Sequence, residues 1–169
     1  LQDIINDPER RRKLVVYINP PYAEAGETRQ LSGTSKNKTN VAVTNMTYQK
    51  YLPVIGIAGR ELFAQFFMRI YDEIPTSVLA EFSKLKTLQA PNFRDFRQAF
   101  RAKLGRNFIV PANSFDNVKG QFPIGFFIWH TEEKVTFEHT TSDVYAKNGD
   151  CLGEKGVYSY DNTNGNIGK

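Results

Sequence analysis

Residues 14–22 read Leu-Val-Val-Tyr-Ile-Asn-Pro-Pro-Tyr, an apolar run that stops abruptly at an asparagine and two prolines. Five apolar residues without polar alternation predict a strand that is buried on both faces, which is typical of a parallel sheet in an α/β protein. Proline cannot continue a central strand, so this strand ends near Asn19. Ligands of open α/β sheets bind outside the carboxyl ends of the strands. The sequence therefore predicts an α/β fold with Asn19, Pro20, Pro21 and Tyr22 at the ligand-binding edge.

The composition is that of a folded domain of modest size. The chain has 169 residues, of which 40% are hydrophobic and 24% are charged, so a packed core is feasible. No apolar run approaches the roughly 18 residues of a membrane span, and no membrane association is predicted. One cysteine and two histidines argue against a disulfide framework, a cysteine-rich zinc site or any other metal centre.

The charge and the first residues bear on location. The net charge of +4 is mildly basic, which is compatible with a nucleic-acid partner. The chain begins with Leu1, and no secretory signal follows it. We therefore interpret the chain as a piece of a longer, cytoplasmic protein.

The middle of the chain predicts a loop, a strand and two helices. Residues 23–40 are polar and lack periodicity, which predicts a long loop. Apolar side chains recur at helical spacing over residues 58–73. A strand is expected near residues 82–88, although a helix end is an alternative there. Asn92 is expected to cap a short helix that turns its phenylalanines inward and its arginines outward.

The last third of the chain has the pattern of β structure. Residues 106–111 and 122–129 predict two strands of a hairpin or wide turn. Further β structure is expected at 135–137, 143–145 and 157–160, with a turn at Lys-Asn-Gly-Asp between the last two strands. Residues 161–169 are rich in asparagine and glycine and are expected to fray.

The Asn-Pro-Pro-Tyr motif at a strand end resembles the catalytic motif of S-adenosylmethionine-dependent methyltransferases that modify planar nitrogens. The best-known members are the DNA adenine-N6 methyltransferases of bacterial restriction–modification systems. The resemblance covers about residues 14–131 and implies a partial Rossmann-like methyltransferase fold. That fold has a mixed sheet with helices on its faces, an antiparallel hairpin strand and a β-rich C-terminal extension.

The resemblance assigns roles to individual residues. The Asn19 side-chain oxygen and the Pro20 carbonyl would accept the two N–H groups of the adenine amino nitrogen, with Pro21 holding them rigidly. Tyr22 would stack on a base that has flipped out of the duplex. Residues 120–129 resemble the hairpin strand of these enzymes, and by that match Phe122 stacks on the opposite face of the base. An ordinary strand-ending turn and an ordinary core phenylalanine are the alternatives.

One part of the family pattern is missing. No strand ends in the glycine-rich turn that binds S-adenosylmethionine, and no acidic residue follows for the ribose. Gly56 and Gly59 are the nearest pair, and they come after the catalytic motif. Residues 1–131 would then be the C-terminal part of a catalytic domain, and residues 132–169 the start of a target-recognition region or tail. Only Asn19 is expected to contribute to the cofactor site, so this chain alone is predicted to be inactive.

Basic residues suggest where DNA phosphates bind. Lys36 and Lys38 lie on the predicted loop beside the motif, where they could close over double-stranded DNA. Two further groups could contact phosphate or form a solvated face: residues 10–13, and the set Arg94, Arg97, Arg101, Lys103 and Arg106. Restriction or specificity subunits of the same system are further possible partners.

Alternative functions of two classes remain at this point. The motif also resembles that of protein-glutamine N5 methyltransferases and of RNA guanine-N2 methyltransferases, which present a planar nitrogen in the same way. A catalytically silent DNA-binding or assembly module is an alternative of another class.

Overall fold

The computed structural model describes residues 1–21, 45–115, 118 and 120–162, with only the backbone of Asn162. Two short helices, α1 (Gln2–Asn6) and α2 (Pro8–Arg11), precede the first strand, β1 (Val15–Ile18). Asp7 caps α2, since its carboxylate accepts hydrogen bonds from the backbone N–H groups of Glu9 and Arg10. The predicted loop at 23–40 lies outside the described residues.

Two helices then precede each of the next two strands. The order is α3 (Met46–Ile55), α4 (Leu62–Glu73), β2 (Val78–Lys84), α5 (Lys86–Gln89), α6 (Arg94–Ala99) and β3 (Ala102–Pro111). Three further strands follow, β4 (Pro123–Lys134), β5 (His139–Tyr145) and β6 (Cys151–Tyr158). Short 3₁₀ turns occupy Gly56–Arg60, Pro91–Phe93, Ala112–Ser114 and Tyr160–Asn162.

The six described strands form one open, mixed sheet in the order β1-β2-β4-β3-β5-β6. β1 pairs in parallel with β2, and β3 pairs in parallel with β5. β4 lies antiparallel between β2 and β3, which confirms the predicted hairpin strand. The α/β class and the mixed sheet are therefore confirmed.

One face of this sheet carries the hydrophobic core. Helices α3, α4 and α6 bury a tyrosine, two isoleucines and several phenylalanines against inward-facing residues of the strands. The helical periodicity of residues 58–73 is confirmed in α4, where Phe63, Phe67 and Ile70 are buried. In β4, Phe127 and Trp129 also belong to this core.

The prediction that β1 is buried on both faces is wrong. Val15 is 58% exposed and Tyr17 is 65% exposed, while Val16 and Ile18 pack against the core. The reason is topological: β1 ends the described sheet, and helices α3, α4 and α6 cover only one face. An apolar run therefore gives an alternating burial pattern.

Four local predictions also need correction. The second strand is centred on Glu81 and not on residues 82–88, where α5 begins. Asn92 lies within the 3₁₀ turn Pro91–Phe93 and does not cap α6. Residues 135–137 are not a strand, although Phe137 is buried. Asp161 was expected in the frayed terminus, but it pairs with Arg97.

The turn between β5 and β6 follows its sequence. Gly149 has φ +91°, a left-handed conformation that glycine adopts without strain.

β4 runs continuously across position 131, and β5 joins the same sheet through β3. Whether residues 132–169 begin a target-recognition region stays a prediction.

Candidate functional site

The candidate site lies at one edge of the sheet, where four strands end. β1, β2, β3 and β5 run in the same direction, so their carboxyl ends meet at this edge. β1 is followed there by Asn19, Pro20 and Pro21. β4 runs in the opposite direction and begins at the same edge, directly after Phe122.

The motif continues the alternation of β1. Tyr17 and Asn19 are exposed, whereas Pro20 is buried. Ile18 pairs with Glu81, so Asn19 comes level with the next residue of β2, Phe82. Pro20 therefore fixes the backbone while the side chain of Asn19 lies on the exposed face. Tyr22 lies outside the described residues, as do Lys36 and Lys38.

Phe122 stands at the entry to β4 and is 44% exposed. Pro111 pairs with Pro123, and Lys84 pairs with Ile124, which puts Phe122 just beyond the ends of both neighbouring strands. β4 is two strands from β1, which corresponds to about 10 Å at the usual strand spacing. The sheet thus brings Asn19 and Phe122 to one edge, on different strands. Their chemical roles stay predictions.

Sequence reasoning missed an aromatic cluster beside Asn19. The rings of Tyr17, Phe82, Phe108, Phe115 and Phe126 contact one another on the sheet face opposite the helices. The Phe82 ring is central, with centroids 4.8 Å from Phe126 and 5.1 Å from Phe115. Alternation within β2, β3 and β4 was the signal that could have revealed this face.

A buried carboxyl group, that of Glu81, lies on the face of the sheet that the helices cover, opposite Ile18 in the strand register. Glu81 is fully buried, and its Oε1 accepts hydrogen bonds from Trp129 Nε1 at 3.0 Å and Ser83 Oγ at 3.4 Å. Its Oε2 has no hydrogen-bond partner among the described residues. Burial raises the pKa of Glu81 to about 8, which the two hydrogen bonds only partly offset. Glu81 is therefore protonated at neutral pH.

The nearest glycine pair does not form a cradle for a nucleotide cofactor. A Cβ atom on Gly56 would meet the carboxylate of Asp95, and one on Gly59 would lie 3.4 Å from the backbone of Leu52. Both glycines therefore serve the packing of the turn between α3 and α4. Neither glycine offers open backbone to a nucleotide cofactor. The described residues contain no cluster of three or more histidine, cysteine or acidic side chains that could hold a metal ion.

The predicted arginine patch is only partly at the surface. Arg97 is 2% exposed, and its guanidinium donates to the backbone carbonyl of Ala90 and to the carboxylate of Asp161. Arg97 therefore cannot contact a DNA phosphate, which corrects that part of the prediction. Arg94, Arg101 and Lys103 are exposed.

Fold and site together define an α/β protein with an open mixed sheet and a polar motif at its carboxyl edge. No protein-family model matches the chain, and no curated protein matches it. Among solved structures, it is similar to a cryo-EM structure of a DrdV–DNA complex, at 13% sequence identity and a TM-score of 0.47. The match covers 87% of this chain and 15% of the DrdV chain, so this chain spans a small part of that structure. No described helix is long and apolar enough to cross a bilayer.

Proposed function

We propose that this chain carries the substrate-handling part of a methyltransferase that modifies the N6 amino group of adenine in double-stranded DNA. The observation that supports this most is the position of Asn-Pro-Pro at the carboxyl end of β1. The Asn19 side chain is exposed there, Pro20 is buried, and an exposed Phe122 stands at the same edge. In this proposal the complete protein belongs to a restriction–modification system and takes its methyl group from S-adenosylmethionine.

The chemistry gives these residue types their roles. The amino nitrogen of adenine is conjugated with its ring and is a poor nucleophile. Acceptance of its two N–H bonds by the Asn19 side-chain oxygen and the Pro20 carbonyl favours a pyramidal nitrogen with an available lone pair. Because proline restricts the backbone, both acceptors are held before the substrate arrives.

The base must leave the duplex to reach this edge. Aromatic side chains stabilise an extruded base by stacking, at roughly 1–3 kcal/mol per base. Phe122 is one such side chain, and Tyr22 is the second in this proposal. Apart from the partial contribution expected of Asn19, binding of the methyl donor is assigned to residues other than those described, because no described strand ends in a glycine-rich turn.

The first experiment identifies the methylated product. The complete protein is incubated with labelled S-adenosylmethionine, DNA of mixed sequence and an extract that contains protein and RNA. We expect the label in N6-methyladenine. Label in glutamine or in RNA guanine would contradict the DNA substrate, and no label from folded protein that binds the donor would favour a silent module.

The Asn19→Ala variant tests the mechanism. Loss of an oriented acceptor is expected to reduce methyl transfer by at least about 100-fold, as loss of one preorganised polar group does elsewhere. DNA affinity, measured by fluorescence anisotropy, should change little because phosphate contacts dominate it. Asn6→Ala is the matched control, since Asn6 is also exposed but belongs to α1, before the opposite, amino end of β1. A rate above one-tenth of that of the unmodified protein would count against the proposed role.

A further inference from the structure

A crevice opens at the same edge of the sheet between β3 and β5. The two strands pair in parallel at Phe108–Asp143 and Ile109–Val144 and then separate. From β3 the chain turns back to β4 on one side, and from β5 it turns to β6 on the other. Neighbouring parallel strands whose connections leave in opposite directions create a ligand-binding crevice in open α/β sheets. A cavity of about 390 Å³ occupies this position.

The lining of the cavity combines apolar walls with a few polar groups. Pro123 and Leu152 are among the apolar lining residues, and Tyr145 is the aromatic one. Asn113, Gln121 and Lys147 supply two amides and a cation. Asn113 Oδ1 is shielded from solvent and accepts no hydrogen bond from a described residue.

The polar set matches the chemistry of one nucleotide. Asparagine and glutamine amides pair with the donor and acceptor edge of a base, of which adenine is the usual partner. An aromatic ring offers a stacking surface, and a lysine attracts the phosphate. Gln121 and Pro123 flank Phe122 in sequence, so the cavity is next to the residue assigned to the target base. The crevice lies between β3 and β5, so it is one and a half strand spacings, or about 7 Å, from β4.

We infer that the crevice binds the nucleotide next to the target adenine in the same DNA strand, with its base unstacked from the duplex. This inference rests on the proposed function, because it takes Phe122 as part of the target-base site. The Asn113 and Gln121 amides hold the base edge, Tyr145 contacts the base, and Lys147 contacts the phosphate. The contact adds sequence preference beside the target position.

The test compares two lysine variants that differ in whether the lysine lines the crevice, together with a third variant that fills it. Lys147 and Lys155 are both exposed lysines of the β5–β6 hairpin, but only Lys147 lines the cavity. Lys147→Glu and Lys155→Glu therefore make the same charge change. Ala146→Phe, which fills the crevice without a change of charge, is the third variant. The probe is a fluorescein-labelled, single-stranded oligodeoxyadenylate of twelve nucleotides, titrated into the complete protein and followed by anisotropy.

We expect Lys147→Glu and Ala146→Phe to weaken binding by about fivefold or more, and Lys155→Glu to stay within about twofold. Equal weakening by both charge reversals, or unchanged affinity in Ala146→Phe, would overturn the inference. Competition with free dAMP distinguishes the source of the nucleotide. If dAMP displaces the oligonucleotide at similar concentration, the crevice binds free nucleotides and the strand contact is wrong.

Failure of the inference and failure of the proposed function can be told apart. Transfer of label to adenine together with unchanged oligonucleotide binding in both crevice variants overturns the crevice alone. The opposite result is also informative: the crevice variants lose oligonucleotide binding, but the protein labels no adenine. That result overturns the methyltransferase proposal, and the bound nucleotide can then no longer be assigned to a position beside the target.

Discussion

Glu81 illustrates how one residue type is changed by its surroundings. Its carboxyl group lies in a core of apolar and aromatic side chains, with an indole N–H and a serine hydroxyl as its only hydrogen-bond partners among the described residues. A charge in such a place is costly because water cannot solvate it. The side chain therefore stays neutral, which the raised pKa of about 8 expresses.

The raised pKa of Glu81 makes the stability of the protein depend on pH. Below about pH 4.5 the group is protonated in both states, and between about 4.5 and 8 only the folded state keeps the proton. The unfolded state then binds fewer protons, so the free energy of unfolding falls as pH rises, by up to about 1.4 kcal/mol per pH unit. Glu81→Gln should remove this slope in urea denaturation between pH 5 and pH 8.

The slope, and not the absolute stability, is the decisive measurement for Glu81. Glutamine brings two N–H donors that this site does not fully satisfy, so the variant can be less stable at low pH. Glu154→Gln, at an exposed position on β6, serves as the control and should retain the slope. Identical pH profiles of Glu81→Gln and the unmodified protein would show that Glu81 is ionised in the fold.

At the scale of elements, one arginine connects the short helices to the end of the chain. Arg97 Nη1 donates to Ala90 O at 2.9 Å and to Thr87 O at 3.4 Å, carbonyls that lie at the C-terminal end of α5. Its Nη2 donates to Asp161 Oδ2 at 3.1 Å. A helix as short as α5 leaves most of its carbonyls without intrahelical partners, and Arg97 satisfies two of these groups.

Replacement of Arg97 is expected to cost far more stability than replacement of its neighbour. Arg97→Gln should lower the free energy of unfolding by about 2–3 kcal/mol, because buried acceptors lose a charged donor. Arg94 pairs with the same Asp161 at 3.5 Å, but its side chain is 65% exposed. Arg94→Gln should therefore cost less than about 1 kcal/mol. Urea denaturation of both variants tests the contrast, and equal losses would contradict it.

Particular elements show which features of the fold a local sequence pattern can predict. The apolar stripe of α4, the proline stop after β1 and the glycine turn before β6 depend on neighbours within a few residues, and each is confirmed. The position of β2 was predicted too late, because Glu81 at its centre is untypical of a buried strand. The indole that accommodates Glu81 is 48 residues away in the chain.

At the scale of the whole molecule, residues 1–131 and the β-rich residues that follow them share one sheet and one core. Phe137 and Val157, from the β-rich end, belong to the same buried cluster as the helices α3, α4 and α6. β5 also continues the sheet through β3. A shared core predicts a single cooperative unfolding transition.

Val157→Ala tests whether the β-rich end is part of that cooperative unit. Val157 is 1% exposed, and its truncation should lower the stability of the entire chain by about 2 kcal/mol. Leu152 lies on the same strand but is 68% exposed, so Leu152→Ala should stay within about 0.5 kcal/mol. Trp129 fluorescence and far-ultraviolet circular dichroism should shift together in Val157→Ala. A shift of circular dichroism without a shift of the Trp129 signal would mean that the hairpin unfolds separately.

The sequence alone determined the α/β class, the amphipathic helix α4, the hairpin strand and the motif at a strand end, because these follow from short-range periodicity and from proline and glycine geometry. Only the tertiary structure decided which face of β1 is covered, that Glu81 is a neutral buried acid and that Arg97 faces inward. It also decided that Asn19, Phe122 and the β3–β5 crevice share one edge. These features depend on partners far apart in sequence, such as Arg97 and Asp161, which are 64 residues apart. The burial and the charge state of a side chain depend on such long-range contacts, so a local sequence pattern does not predict them.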